Sequence, residues 1–226
     1  KMRVMSRNQQ MMRLDSEITT DIDATLEEAL IKNVETYINT YRPSVVIFED
    51  YNKGVLTSNT IEKLIDLCNK HQIISAVDPK KKNFLSYKNV TLFKPNLKEV
   101  KEGLNMIVEE VDLKKMQDIH HVLHEILQHH ISLITLSEKG VFYQDEQNSS
   151  IIPTHVRKIA DVSGAGDTVI AVVSLVMAVT KQIQLAAEMA NIAGGLVCES
   201  VGTVAIEKEK LLVECKRLLN SQVVSD

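Results

Sequence analysis

The sequence predicts an α/β protein in which a mostly parallel sheet is covered by helices on both faces. Two patterns support this prediction. Short apolar runs of strand length alternate with longer segments of helical period along most of the chain. In addition, the polar motifs follow the apolar runs directly, as expected where ligands bind at the carboxyl ends of parallel strands. Parallel strands need crossover connections, so the intervening helices must lie on the two faces of the sheet.

The first half of the chain contains three of the predicted strands. Residues 1–15 precede them and alternate polar and apolar side chains, as a half-buried strand does. A helical pattern from Asp23 to Tyr41 ends before Pro43, which cannot continue a helix. Thr57 or Ser58 can cap the next helix by accepting a hydrogen bond in its first turn. The predicted elements are helices 23–41, 57–70, one from 96 and one at 112–129, and strands 45–48, 73–77 and 91–93.

The second half begins with a fourth buried strand and ends in helices. Two further apolar runs, separated by a polar loop, suggest antiparallel additions to the sheet. After the loop at 163–166 the pattern is almost entirely helical. The predicted elements are strands 131–136, 141–143 and 151–159 and helices 168–179, 184–199 and 207–219.

The composition is that of an ordinary globular protein. The chain has 226 residues, of which 44% are hydrophobic and 25% charged, enough for one large domain with a buried core. A formal net charge of −4 argues against nucleic acid as a general partner. No apolar stretch has membrane-spanning length and no signal peptide is recognisable, so we expect a cytoplasmic protein without a membrane partner.

The stretch SGAGD at 163–167 carries the most distinctive chemistry. Gly164 and Gly166 allow a sharp turn and a close approach of the backbone to another group. The helix that follows presents unpaired N–H groups and the positive end of its dipole, which together bind anions. Asp167 could take a proton from a hydroxyl while the amides of Gly164, Ala165 and Gly166 stabilise charge on a phosphoryl group. A plain helix N-terminus capped by Asp would have the same sequence.

The chain resembles a known enzyme family through this stretch and through six other blocks. ADVSGAGD is similar to the second signature, D-T-x-G-A-G-D, of the ribokinase-like (PfkB) carbohydrate kinases, with Asp161 and Ser163 in matching positions. Within that family it most resembles the heptose 7-phosphate kinases of lipopolysaccharide precursor synthesis. The resemblance runs from about Met2 to Leu212. The other blocks, in the same order as in that branch, are SRNQQMMRLD, EDYNKGVL, DPK, KPNLKE, TLSEKG and ANIAGGLVCESVGT.

This resemblance implies a fold, a domain organisation and an activity. The fold would be the three-layer ribokinase-like fold without its N-terminal strands and part of its β lid. Residues 1–226 would then be the C-terminal portion of the kinase domain, and residues 1–20 a remnant of the sugar-site and lid strands. The activity would be transfer of the γ-phosphoryl group of ATP to the anomeric hydroxyl of D-glycero-D-manno-heptose 7-phosphate. The intact protein is expected to be a homodimer.

Two other functions stay open from the sequence. The chain could be another sugar or sugar-phosphate kinase of the same family, because the choice of sugar depends on the resemblance and not on the chemistry of particular residues. It could also be a non-catalytic kinase core that binds nucleotide.

Candidate sugar-phosphate contacts follow the first two strands of the main sheet. Asp50 could hold sugar hydroxyls, and Lys53 and Lys80 could meet a phosphate, although a turn with solvated charges would have the same spacing. Arg7 and Asn8 resemble residues near the sugar phosphate, and the forked guanidinium of Arg suits such a contact. Their alternative is an exposed hairpin.

Candidate nucleotide and metal contacts lie further along the chain. Asn96 and Glu99 match the NxxE element of the family, which implies contact with phosphates and, through water, with Mg²⁺. A capping Asn followed by an acid would look the same. Asp161 and Ser163 permit a monovalent cation such as K⁺. The other residues that the resemblance places at the nucleotide are Thr135, Ser137, Glu138, Gly140, Asn191 and Gly194.

A group of histidines on the predicted helix 112–129 and just beyond it includes the i,i+4 spacing of zinc ligands. The resemblance gives this segment no functional block, and there is no cysteine nearby. We therefore predict a solvated helix face rather than a zinc site. The residues are His120, His121, His124, Glu125, His129 and His130.

Overall fold

In the computed structural model, residues 2–6, 9–155 and 157–222 are described. Six strands form the main sheet, in the spatial order in which they occur along the chain. The first four pair in parallel and the last two add antiparallel at one edge. These strands are β3 (Val45–Glu49), β4 (Ile74–Asp78), β5 (Leu92–Phe93), β6 (Ile131–Thr135), β7 (Val141–Gln144) and β8 (Ser149–Ile152). The carboxyl ends of β3 to β6 therefore meet at one edge of the sheet.

A separate two-stranded antiparallel hairpin precedes the main sheet. It consists of β1 (Met2–Ser6) and β2 (Gln9–Leu14), within the alternating segment expected to be strand-like. Met2 and Met11 are largely exposed on it, at 63% and 67%. Arg7 and Asn8, which join the two strands, lie outside the described residues, so their predicted contact with sugar phosphate stays a prediction.

Helices cover both faces of the main sheet. They are α1 (Ala24–Tyr41), α2 (Ser58–Lys70), α3 (Leu97–Gly103), α4 (Leu113–Leu127), α5 (Ala165–Thr180), α6 (Ile183–Val197) and α7 (Lys208–Gln222). One apolar cluster joins α1, α2 and α4 to one face through Phe48, Phe93 and Phe142. The second joins α5 and α6 to the other face, where Ala76 and Leu133 lie. The predicted three-layer arrangement with a mostly parallel sheet is confirmed.

Local capping chemistry explains where several helices begin. The Asp23 carboxylate accepts a hydrogen bond from the Leu26 N–H at 2.9 Å, and α1 begins directly after it. Thr57 and Thr60 form a reciprocal capping box at the start of α2. Such caps satisfy N–H groups that have no partner within the helix, so they fix the first turn independently of the rest of the fold.

The strand predicted at 151–159 is wrong beyond Ile152, where β8 ends. Pro153 follows and has no N–H to donate to a neighbouring strand. Its carbonyl instead accepts a hydrogen bond from the Asn191 side chain of α6 at 2.9 Å. The chain therefore leaves the sheet at this point and runs toward α6.

The histidine group is only in part the solvated face that we predicted: His120 and His129 are buried, and the other members, His121, His124, Glu125 and His130, are exposed. His120 is 6% exposed, and His129, which follows α4, is fully buried. The hydroxyl of Ser132 on β6 bridges them, at 2.9 Å from His120 Nδ1 and 2.6 Å from His129 Nε2. Burial lowers the pKa of His120 to about 4 and that of His129 to about 3. The prediction failed for these two residues because His120 lies on the buried face of α4, whereas His129 lies beyond the end of α4 at Leu127, where the chain turns back into the core.

No helix in the described part of the chain combines the length and apolar character that crossing a membrane requires. Cys68, Cys198 and Cys215 are buried free thiols.

Candidate active site

Three carboxylates converge at the ligand edge of the sheet. Glu49 ends β3 and Asp78 ends β4, and the parallel register pairs these two residues directly. Asp167 lies in the first turn of α5, which approaches the same edge from one face. One oxygen from each side chain lies within 4.8 Å of the others. Like charges at this spacing repel strongly, so the arrangement needs cations or a proton to be stable.

Two lysines supply positive charge on the Asp78 side of this group. Lys94, which follows β5, is only 2% exposed, and its Nζ lies 3.0 Å from Asp78 Oδ2. Lys80 Nζ lies 3.4 Å from Asp78 Oδ1 and 2.5 Å from Glu99 Oε1. Asp78 is thus held between two ammonium groups, and Lys80 divides its charge between two acids.

The glycine turn packs directly on this ion pair. Gly164 has the left-handed φ of 82° that favours glycine and forms the N-cap of α5. A Cβ on Gly166 would lie 3.7 Å from Asp78 Oδ2 and 3.8 Å from Lys94 Nζ. The first turn of α5 therefore lies immediately above the buried Asp78 and Lys94 pair.

The charges and hydrogen bonds around Asp167, Glu49 and Tyr51 differ from one residue to the next. The Tyr51 hydroxyl donates to Asp167 Oδ1 at 3.1 Å, and the first turn of α5 brings the positive end of the helix dipole to the same carboxylate. Burial, followed by the charges of Asp78 and Asp167, raises the pKa of Glu49 to about 7. Burial and the Asp167 charge raise the pKa of Tyr51 to about 12, so this hydroxyl stays a donor at neutral pH.

A cavity of about 650 Å³ opens beside the turn. Ala165 and Gly166 form part of its wall, so the predicted anion site and the cavity share a boundary. Its size is that of a pocket for a small ligand or a nucleotide. It also brings together all the residues predicted at the nucleotide beyond the NxxE element, namely Thr135, Ser137, Glu138, Gly140, Asn191 and Gly194.

Two of these cavity residues also hold the protein together. Asn191 binds the Pro153 carbonyl, as described above, and so fixes the wall of the cavity that follows β8. A Cβ on Gly194 would lie 2.8 Å from Val169 Cγ2 on α5, which is too close for real side chains. Gly194 is therefore required by the close packing of α5 against α6, whatever the cavity binds.

The predicted NxxE element forms the N-terminus of α3. Asn96 caps the helix, and Glu99 Oε2 accepts a hydrogen bond from the Asn96 N–H at 2.8 Å, which completes a capping box. Glu99 Oε1 binds Lys80. An isolated parallel bridge joins Asn96 to Thr135, so the element lies beside the cavity. With both oxygens engaged, Glu99 fits contact with Mg²⁺ through water better than direct ligation.

The three predicted sugar-phosphate residues that the structure describes are not gathered in one place. Asp50 is 3% exposed and accepts hydrogen bonds from Tyr87 Oη at 2.8 Å and Asn83 Nδ2 at 3.1 Å, so its carboxylate lies in the interior. Lys53 pairs with Glu17, in the segment between β2 and α1. Of these three residues, Lys80 is the one that lies at the carboxylate group. Sugar contact by these residues stays a prediction.

Asp161 braces the loop before α5. Its Oδ1 accepts the Ser163 N–H at 2.9 Å and its Oδ2 accepts the Gly202 N–H at 3.0 Å. These hydrogen bonds lower the pKa of the Asp161 carboxyl. The carboxylate is thus committed to the loop, and the predicted monovalent cation at Asp161 and Ser163 stays a prediction.

Sequence reasoning did not single out Glu49, Tyr51, Asp78 or Lys94 as site residues. All four lie at or just beyond the carboxyl ends of strands that the sequence did predict. That position was an available signal, because in parallel α/β proteins this edge carries the ligand.

The fold and site together define an α/β protein with a glycine turn at a helix N-terminus, a buried ion pair and a nucleotide-sized cavity at one sheet edge. Residues 15–210 match the family model described as pfkB family carbohydrate kinase. The chain belongs to that family.

Curated relatives agree with this assignment. The bifunctional protein HldE of Aliarcobacter butzleri is 35% identical over 214 residues, which are 93% of this chain and 43% of that protein. HldE of Helicobacter pylori strain J99 is 33% identical over 216 residues, with 93% and 45% covered. The chain therefore spans less than half the length of these relatives.

Solved structures confirm the predicted ribokinase-like fold. Phosphofructokinase-2 from Escherichia coli in complex with potassium superposes with a TM-score of 0.74 at 16% identity, covering 85% of this chain and 63% of that one. Ribokinase from Arabidopsis thaliana, complexed with ribose and ATP, superposes with a TM-score of 0.67 at 15% identity, covering 88% and 61%.

Proposed function

We propose that this chain is the ATP-dependent phosphotransferase part of a sugar kinase, with D-glycero-D-manno-heptose 7-phosphate as acceptor and the 1,7-bisphosphate as product. The observation that carries the proposal is the position of Asp167, which belongs to the carboxylate group and lies in the first turn of α5, next to Ala165 and Gly166 of the cavity wall. The choice of this sugar is supported by the seven sequence blocks and by the HldE relatives at 33% to 35% identity.

The reaction needs a base and a place for growing negative charge. Asp167 takes the proton of the anomeric hydroxyl as its oxygen attacks the γ-phosphorus, and the bond to the ADP oxygen breaks. The Tyr51 hydroxyl holds one oxygen of Asp167, which leaves the other to face the acceptor. The amides of the turn stabilise charge on the transferred group. The Ala165 N–H now donates to the Val162 carbonyl at 3.3 Å, a long bond that a phosphoryl oxygen would replace.

The nucleotide would lie in the cavity, with its phosphates toward Gly166 and the Asn96 and Glu99 element. Mg²⁺ held through water at Glu99 would neutralise part of the phosphate charge. Lys80, which bridges Asp78 and Glu99, could turn one of its three donors to a phosphate. A monovalent cation near Asp161 would add positive potential behind the same turn, and one solved neighbour is described as a potassium complex.

We also expect the intact protein to be a homodimer through the β1–β2 hairpin. Met2, Met11 and Met12 are exposed there, and such apolar groups are typical of surfaces that are covered in an assembly.

The proposal is tested by ATP consumption against a panel of sugar phosphates that includes the heptose 7-phosphate. Asp167→Asn should retain the fold and nucleotide binding and lower turnover at least about 100-fold, the low end of what a general base contributes. Glu62→Gln, an exposed change on α2, is the control and should leave turnover unchanged.

Three outcomes separate the candidate functions. Selective turnover of the heptose 7-phosphate supports the proposal. Preference for a different sugar assigns the chain to another branch of the family. Nucleotide binding without turnover of any sugar favours a non-catalytic core. Separately, near-normal turnover by Asp167→Asn would reject Asp167 as the base.

A further inference from the structure

The three converging carboxylates can be told apart by what stabilises the charge of each. Asp78 has Lys94 at 3.0 Å and Lys80 at 3.4 Å. Asp167 has the Tyr51 hydroxyl at 3.1 Å and the positive end of the α5 dipole. Glu49 is half-buried, and its carboxylate has no hydrogen bond or ion pair to the described residues. It is therefore the acid of this group whose negative charge is least supported.

The charges around this group do not balance in the fully ionised form. Glu49, Asp78, Asp167 and Glu99 contribute four negative charges, whereas the ammonium groups of Lys80 and Lys94 contribute two positive ones. Lys80 is nearer to Glu99 than to Asp78, which leaves less of its positive charge for the group formed by Glu49, Asp78 and Asp167. A polyanionic substrate would add further negative charge to the same edge.

We propose that Glu49 is a positioning residue for phosphoryl transfer. In the working enzyme Glu49 carries a proton, and in this neutral form it keeps Asp167 ionised and limits the negative charge where phosphates bind. This inference rests on the proposed kinase function. A neutral carboxyl can also donate a hydrogen bond to the neighbouring carboxylate, as paired acids do in enzymes.

The groups that face Glu49 act on its pKa in opposite directions, and the effects that raise it outweigh those that lower it. Asp78 and Asp167 both oppose its ionisation, Lys94 and Lys80 favour it, and burial, which opposes it, is the largest of these effects. The result is a pKa raised to about 7, within the range where a proton is held or lost at physiological pH. Above that pH the edge gains one more negative charge beside the phosphate site.

The consequence for catalysis has a definite sign. When Glu49 loses its proton, its charge repels the phosphates of both substrates, so kcat/KM falls as the pH rises. Glu49→Gln resembles the neutral acid at every pH. It should therefore match the parent protein near pH 6 and exceed it by roughly tenfold near pH 8.5, as expected when one proton is lost with a pKa about 1 to 1.5 units below that pH. A purely structural role would lower activity equally at all pH values.

A second measurement does not depend on turnover. The ¹³C carboxyl signals of glutamate in the whole chain are followed by NMR against pH without Mg²⁺ or nucleotide, and the Glu49 signal is identified by its loss in Glu49→Gln. We expect it to titrate well above ordinary glutamates and to move to lower pH in Asp167→Asn, which removes a neighbouring charge. Glu62→Gln should leave the Glu49 titration unchanged.

The outcomes distinguish this inference from the proposed function. An ordinary titration of Glu49 that Asp167→Asn does not alter overturns the inference even if the chain is an active kinase. A raised, Asp167-dependent titration supports it even if no sugar is turned over. If Mg²⁺ alone brings the titration of Glu49 down to the pH of ordinary glutamates, a cation neutralises the three carboxylates in place of the proton, and the inference is overturned.

Discussion

At the scale of single residues, the site depends on an ion pair, Lys94 with Asp78, that is almost completely removed from water. The Lys94 side chain is 3% exposed and the Asp78 side chain 8%, and the Gly166 turn lies over both. Burying such a pair costs desolvation free energy, and the pair repays it only while both partners are present. The geometry of the glycine turn thus depends on two residues that need not touch a substrate.

Removing one partner of this pair should be costly. Lys94→Met leaves Asp78 with only the more distant, shared Lys80, and we expect the free energy of unfolding to fall by about 3 to 5 kcal/mol. The double variant Lys94→Met, Asp78→Asn should recover part of that loss, because no unpaired charge remains. Urea denaturation of the parent, both single variants and the double variant measures the coupling. Additive losses would show that the two side chains do not stabilise each other.

Some residues of the site could be predicted from the sequence, and others could not. Asp167 and the glycine turn were predicted because their chemistry is local to five consecutive positions. The role of Glu49 beside Asp78 depends on the register of two parallel strands, which neighbouring residues do not encode. Asp50 was assigned to the sugar because it follows a strand, but one position of difference turns a side chain the other way, and it lies in the interior.

At the scale of elements, a close contact between two helices also shapes the cavity. Helices α5 and α6 pack through Gly194, where a Cβ would lie 2.8 Å from Val169 Cγ2. Val169 is β-branched and cannot rotate away easily in a helix. The spacing of the two helices therefore depends on one hydrogen atom in place of a methyl group.

Gly194→Ala should separate these helices. Alanine favours a helix over glycine by roughly 1 kcal/mol, but overpacking typically costs about 1 to 3 kcal/mol, so a small net loss of stability is expected. Nucleotide affinity should fall as well, because Ala165 and Gly166 move with α5. Thermal unfolding and titration with ATP measure the two effects. Val169→Ala in the same chain should relieve the contact, and a Gly194→Ala variant that is more stable than the parent would contradict this account.

The ends of helices and strands could be predicted where neighbouring residues determine them, and were harder to predict elsewhere. The starts of α1, α2, α3 and α4 were predictable because Asp23, Thr57, Asn96 and Asp112 cap them through hydrogen bonds three residues ahead. The end of β8 at Ile152 was missed, although Pro153 was a visible stop signal. The burial of His129 could not be read from helical period, since that residue lies beyond the end of α4.

At the scale of the whole molecule, the buried histidines link stability to pH. Burial holds the pKa of His129 at about 3 and that of His120 at about 4, below the ordinary value of 6.5. The unfolded chain therefore binds more protons than the folded protein between these values, and stability falls as pH drops below about 6.5.

The expected slope is about 1.4 kcal/mol per pH unit for each histidine within that interval. His129→Gln should remove one of the two contributions, so its free energy of unfolding should change less between pH 6 and pH 4.5 than that of the parent. Urea denaturation at several pH values measures this, with His71→Gln, at an exposed position after α2, as the control. An unchanged slope in His129→Gln would show that His129 is not the source.

The parallel register that pairs Glu49 with Asp78 has a consequence for how the protein forms. The carboxylate group draws its members from β3, β4 and α5, and Lys94, which pairs with Asp78, follows β5. These segments are far apart along the chain, and contacts of high sequence separation tend to form slowly because long loops must close first. Helices and caps can form early from local signals. The chemistry of the site, by contrast, can exist only once β3, β4 and β5 have paired and α5 has packed against them, so a partly folded chain would have the right residues and no active site.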